Sequence, residues 1–298
     1  MLSATVLTRR DELVAALDAA RERGARVGLV PTMGALHGGH LSLVRRAAAE
    51  NTTVAVTVYV NPLQFGDPGD LERYPRDLDR DVEMASAAGA DLVFAPEAEQ
   101  MWPEPPATSV HVTGLSERWE GEVRPGHFDG VATIVTKLLG LAGRCLAYFG
   151  EKDFQQLAVV RRLVTDLSLP VGIVGCPVVR YPDGLALSSR NAHLSAEERA
   201  VAPRLYAALL AGRRAVEDDA VTDPGEVDGA MAAVLASEPR FSTDYAAVVR
   251  PDDLSPAAVV AGQVRLLAAV RLGDVRLVDN LPATSPHPEA ARSRSEDG

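Results

Sequence analysis

Lysine is almost missing from these 298 residues: of thirty basic side chains only Lys137 and Lys152 are lysines, and the rest are arginines. Arginine presents a planar fork and lysine a compact point charge, so these two positions are candidates for places where the fork does not fit. Cysteine is equally scarce. Cys145 and Cys176 each lie inside an apolar run, where a thiol usually serves as a small buried hydrophobe. A disulfide framework or a cysteine zinc site is therefore not expected. No run approaches the ~18 consecutive apolar residues of a membrane span, and the N-terminus lacks the basic-then-apolar pattern of a secretion signal. The expectation is a cytoplasmic protein with no membrane partner. Excess positive charge is absent as well, the formal net charge being -11. That opposes general attraction to nucleic acid, whose phosphates need a basic face, so any anionic substrate must be met by a local site.

What is present has a clear rhythm. RVGLV, HLSLVRRAAAE, TVAVTVYV, RDLDRDVEMASAAGA and DLVFAP alternate β-rich runs with helix-period segments; CLAYFG, DFQQLAVVRRLVTDL and VGIVG repeat the alternation. Such alternation predicts parallel strands joined by crossover helices, hence an α/β fold with a doubly wound, Rossmann-like sheet over residues 1–178. After Arg190 the texture changes to alanine-rich helices and three short β-like runs, DYAAVV, QVRLLAAVRL and VRLVDN, with LGDV as a tight hairpin turn between the last two. Residues 179–283 are expected to form a smaller α+β lid domain. The final PATSPHPEAARSRSEDG is proline-rich and polar, and residues 284–298 are expected to be a disordered tail.

The most informative stretch is PTMGALHGGHLSLV, residues 31–44. Its glycines and histidines fall between a strand's C-terminal end and a helix's start, which is where open α/β sheets bind ligands. Amide N–H groups and the positive end of the helix dipole favour phosphate there, and Gly38 and Gly39 allow close approach to the backbone. His37 and His40, three apart, can share a helical face and each donate a ring N–H to a phosphate oxygen. FGEKDFQQ, residues 149–156, is a second junction of the same kind, carrying Lys152 as a point charge; it is not a P-loop, because that motif's spacing is absent. DGLALSSRN, residues 183–191, offers two hydroxyls and the Arg190 fork, a set suited to phosphate oxygens. Taken singly, these last two stretches read better as an ordinary helix start and a capping loop.

HGGH fits the H-x-G-H signature of the adenylylating nucleotidyltransferase superfamily. Together with VNPLQFG, RPGHFDGVATIVTKL, FGEKDFQQ and DGLALSSRN, in that order over nearly the whole chain, it resembles the pantothenate synthetases, or pantoate–β-alanine ligases. The resemblance implies ATP and magnesium as cosubstrate and cofactor, (R)-pantoate and β-alanine as substrates, and a homodimer. It implies that Met33, Gly34, Ala35, Leu36, His37, Gly38, Gly39 and His40 face the nucleotide, with Gly150, Glu151, Lys152 and Asp153, the last on the ribose. Val179 and Leu187 would lie near adenine, and Ser188, Ser189 and Arg190 on the departing pyrophosphate. Met33, Asn61, Gln64 and Gln156 would hold pantoate, for which neutral amides suit a carboxylate that must stay nucleophilic. Asp81 is expected to be linked to magnesium. His40, His37, Lys152, Ser188, Ser189 and Arg190 form the expected catalytic set. Arg124, His127 and Lys137 receive no firm role, and His111 and His193 look isolated. Another H-x-G-H adenylyl- or cytidylyltransferase and a non-catalytic ATP-binding module remain as alternatives.

Overall fold

The computed structural model describes residues 3–66 and 68–288. The described residues up to Val179, together with Leu187–Ser189, form one compact unit; Arg180–Ala186 and the described residues from Arg190 onward form a second. Val179 and Leu187–Ser189, expected in the second domain, fall in the first unit, where the Leu187 amide donates to the Val179 carbonyl at 2.9 Å.

In the first unit the strands are β1 (Thr5–Leu7), β2 (Val27–Thr32), β3 (Thr53–Val58), β4 (Leu92–Phe94), β5 (Cys145–Gly150) and β6 (Val171–Cys176). They form one parallel sheet in the order β1-β4-β3-β2-β5-β6. The helices between them are α1 (Arg10–Glu22), α2 (Gly38–Glu50), α3 (Pro68–Arg73), α4 (Leu78–Ala88), α5 (Ala98–Met101), α6 (Glu120–Val123), α7 (His127–Ala142) and α8 (Phe154–Asp166). Central strands read as continuous Val, Leu and Ala because both faces are covered; Val30, Val56 and Val93 pack with Val44 and Ala47 of α2 and Ala85 of α4. From β2 the chain winds outward through β3 to β4, whereas β5 lies on the other side of β2. That reversal makes the C-terminal ends of β2 and β5 the crevice of the sheet.

The second unit contains α9 (Ala196–Val201), α10 (Arg204–Glu217), α11 (Pro224–Ala236) and an antiparallel sheet of β7 (Phe241–Val249), β8 (Gln263–Leu272) and β9 (Val275–Thr284). The β8–β9 hairpin turns through Gly273 and Asp274, with Gly273 at φ +57°, a conformation glycine adopts without strain. β9 runs further than expected. Pro282, Ala283 and Thr284 pair with β8, so the proline-rich tail does not begin at Pro282; Pro282 is tolerated because β9 is an edge strand. The part of the proposed disordered tail from residue 289 on lies outside the described residues.

Candidate active site

The loop after β2 is built by three backbone capture events. Thr32 Oγ1 donates to the Thr57 carbonyl at 2.6 Å and accepts the Gly34 amide at 3.1 Å. Gly34 then takes φ +83° and Ala35 φ +50°, so the chain passes twice through the left-handed region. The Asp81 carboxylate, reaching in from α4, receives both amides that follow: Ala35 N–H at 2.9 Å and Leu36 N–H at 2.7 Å. A Cβ on Gly34 would lie 2.7 Å from Asp81 Oδ2, so only glycine lets the carboxylate come this close. Asp81 is 2% exposed and both its oxygens serve the loop. The geometry makes Asp81 a brace of the loop. Among the described residues no group of three or more His, Cys, Asp or Glu is arranged to hold a metal ion.

The two histidines close the start of α2. His37 is the N-cap, and its Nδ1 accepts the Gly39 amide at 3.1 Å; His40 Nδ1 accepts the His37 amide at 3.4 Å. Two helix-end donors expected to face phosphate are thus taken by the imidazoles themselves. The consequence is a fixed tautomer. A nitrogen that accepts an amide N–H carries no proton, so in each neutral ring the proton sits on Nε2. The ring centroids are 4.1 Å apart. Burial and the neighbouring His37 push His40 down to about 3, and burial followed by the Lys152 ammonium lowers His37. Both rings are therefore neutral near pH 7. A Cβ on Gly39 would sit 2.8 Å from the His37 ring, and one on Gly38 would meet Leu187 at 3.0 Å.

At the end of β5 the chain makes a single 3-10 turn, Glu151–Asp153, before α8. Asp153 occupies the N-cap position of α8, yet its side chain makes no capping bond and pairs instead with Lys152 at 3.2 Å. β2 and β5 are neighbouring parallel strands, so the two junctions lie side by side, and the Lys152 and Asp153 charges act on the His37 and His40 rings. Val179 and Leu187 are joined by their backbones, Leu187 reaches the HGGH turn, and partly buried Ser188 and Ser189 follow in the same unit. Arg190 is exposed and belongs to the second unit.

The remaining substrate candidates meet at a one-turn 3-10 helix, Pro62–Gln64. Gln64 Nε2 lies 2.8 Å from Met33 Sδ, and its Oε1 accepts from Asn61 Nδ2 at 3.2 Å. Asn61 is 1% exposed; its second amide proton goes to the Gly130 carbonyl at 3.1 Å and its oxygen accepts the Leu63 amide. With both protons committed, Asn61 holds Gln64 in place. Gln156 is partly buried, and its amide has no partner among the described residues. Its neighbour Gln155 is buried and bonded to the Leu115 and Arg118 carbonyls and the Glu120 amide. Of the adjacent pair, one is structural and one is free to bind.

The family model described as Pantoate-beta-alanine ligase matches residues 5–282. The chain belongs to this family. It is 53% identical over 272 residues to the pantothenate synthetase of Thermus thermophilus, covering 90% of this chain and 96% of that protein. A crystal structure of pantothenate synthetase from Thermus thermophilus superposes with a TM-score of 0.87 at 50% identity, over 93% of this chain and 98% of that one. The pantoate-beta-alanine ligase of Francisella tularensis, solved in complex with beta-gamma ATP and beta-alanine, has a TM-score of 0.77 at 29% identity, covering 94% of this chain and 97% of its own.

Not every residue singled out in this ligase sequence reaches the site. Lys137 stacks over Trp102, its ammonium 4.1 Å from the ring centroid, and donates to the Met101 carbonyl, so its rarity reflects local packing. His111 is exposed between Asp129 at 2.8 Å and Glu117 at 3.0 Å, which raise it, and His193 is exposed. Two site residues have roles that the sequence did not reveal. For Asp81 the resemblance implied only a link to magnesium and not its hold on the loop, and His127 lay in a motif without a chemical signature. A lone apolar-facing period marks Asp81: it is the only acid of Asp77, Asp79 and Asp81 that α4 buries.

Proposed function

We propose that this ligase joins (R)-pantoate to β-alanine through a pantoyl adenylate. The pantoate carboxylate attacks the α-phosphorus of ATP, pyrophosphate leaves, and the β-alanine amine displaces AMP to give pantothenate. The observation that carries the reading is the pair of rings at the β2 crevice, each with Nδ1 tied to backbone and the Nε2 proton left as a donor, with the Lys152 charge acting on both. As charge spreads over the transferring phosphoryl group, catalysis is mostly positioning and electrostatic stabilisation by such fixed donors. His37, His40 and Lys152 contact the phosphates, Ser188 and Ser189 add hydroxyl donors, and Gly38 and Gly39 allow the backbone to come close. Gly150 and Glu151 face the nucleotide and Asp153 the ribose, with Val179 and Leu187 against adenine. Met33, Gln64 and Gln156 hold pantoate without a cation that would dull its carboxylate.

Use of ATP and β-alanine is supported by the Francisella tularensis ligase complex. Magnesium is assigned to the nucleotide's own phosphates, an arrangement that needs no protein cage, and among the described residues no group of three or more His, Cys, Asp or Glu forms one. A homodimer working in the cytoplasm, where ATP is supplied, completes the proposal; among the described residues no helix is long and apolar enough to cross a membrane. A transferase acting on a phosphate acceptor would call for cations where Gln64 and Gln156 stand. The test is pantoate-dependent exchange of labelled pyrophosphate into ATP with β-alanine absent. Exchange is the expected result; its absence in protein that binds ATP would overturn carboxylate adenylylation.

A further inference from the structure

The phosphate chemistry does not explain why an arginine, a histidine and a glycine should stand at positions 124, 127 and 130, around the start of α7. Their geometry against Gln64 does. The one-turn helix Pro62–Gln64 is too short to be stable by itself, and its last carbonyls have no partner within the turn. His127 Nδ1 lies 2.9 Å from the Gln64 carbonyl oxygen, and Arg124 Nη2 lies 3.5 Å from the same atom. On the far side of the ring, His127 Nε2 is 3.2 Å from Arg124 Nη1. The carbonyl can only accept and the guanidinium can only donate, so His127 must carry its proton on Nδ1 and present a bare Nε2. This is the opposite tautomer to that of His37 and His40. It also requires a neutral ring, in keeping with burial and the Arg124 charge, which push His127 down to about 4; Glu120 and Asp153 act in the other direction.

Gly130 completes the clip. A Cβ there would lie 2.2 Å from the Leu63 carbonyl oxygen and 2.6 Å from the Gln64 nitrogen, both backbone atoms that cannot yield. The Gly130 carbonyl receives the Asn61 amide, and Asn61 in turn donates to Gln64 Oε1. Main chain and side chain of Gln64 are therefore both set by the first turn of α7. With one Nε2 proton directed at Met33 and one Oε1 lone pair at Asn61, the Gln64 amide keeps one donor and one acceptor for a ligand.

We infer that His127 is a positioning residue for pantoate: it fixes Gln64 through the main chain, and it sets affinity for the hydroxy acid without acting on the nucleotide. The inference rests on the reading that Gln64 holds pantoate. Asparagine and glutamine at position 127 separate the roles of the two ring nitrogens. In His127→Asn an amide N–H stands near the place of Nδ1 and still reaches the Gln64 carbonyl; in His127→Gln it stands near Nε2 and does not. Pyrophosphate exchange is measured for both, with pantoate and ATP varied in turn. The expected result is a pantoate KM raised about tenfold in His127→Gln, close to wild type in His127→Asn, and an unchanged KM for ATP in both. Equal effects of the two substitutions, or equal shifts in both KM values, would overturn the inference. Gln64→Ala serves as the control. If it leaves pantoate KM unaltered, the reading of Gln64 fails; if it raises pantoate KM while His127→Gln does not, the clip alone fails.

Discussion

Replacing Asp81 tests the brace most directly. In Asp81→Ala the Ala35 and Leu36 amides lose acceptors at 2.9 and 2.7 Å, in a place where Leu36 is 3% exposed. A buried amide left without a partner costs about 1–3 kcal/mol. Two such groups bound the loss at about 2–6 kcal/mol, and water reaching partly exposed Ala35 brings the working figure to about 3 kcal/mol. The left-handed Ala35, at φ +50°, would also lose the contact that holds it there and relax. Asp81→Asn keeps one acceptor and points a donor at the other amide, so it should cost nearly as much despite its unchanged size. Chemical denaturation reads the stability, and pyrophosphate exchange at several magnesium concentrations reads the site. Both variants should lose stability and exchange activity by factors that do not depend on magnesium. A variant with wild-type stability whose activity returns on raising magnesium would show that Asp81 is a metal ligand and that the brace is incidental.

Three further outcomes follow from the histidines. Gly39→Ala should lower exchange about tenfold or more, because the added Cβ lies 2.8 Å from the His37 ring and must evict it from its cap; stability should barely change, since alanine is the better helix former. Unaltered exchange would rule out the cap as the device that aims His37. Binding of ATP should take up protons: a phosphate charge beside the ring favours the protonated form of His40 and raises it from about 3, against the cost of breaking the His37 amide bond to Nδ1. Calorimetry at pH 6 in buffers of different ionisation enthalpy measures this, and a proton count of zero would refute it. Finally, His37, His40 and His127 are all held below the ordinary histidine value. Below about pH 6.5 the unfolded chain binds protons that the native rings refuse, so stability is full above that pH and falls as pH drops toward about 4. His111 does not oppose this, because its raised value makes its contribution vary only above 6.5. Denaturation midpoints that stay flat between pH 5 and 6.5 would contradict the neutral rings.

The alternation of apolar runs with helical periods was enough to predict the parallel sheet, because buried β-strands and amphipathic helices carry their environment in their spacing. HGGH and EKD were legible as candidates for a similar reason: each sits between a strand end and a helix start, where open α/β sheets bind ligands, whereas the two glutamines were singled out only by the resemblance. β1, α1 and the sixteen-residue α7 were not foreseen. α7 buries most of its surface, including Phe128, Val131 and Leu138, so it shows no clear polar face to betray a helix. The sequence by itself thus determined the fold class and the family of chemistry, both written in local pattern. Only the tertiary structure decided which tautomer each histidine adopts, that Asp81 serves a loop 45 residues away, and that His127 grips a carbonyl 63 residues away. A hydrogen bond depends on a few tenths of an ångström and on which partner is buried, and neither is encoded in the spacing of a single segment.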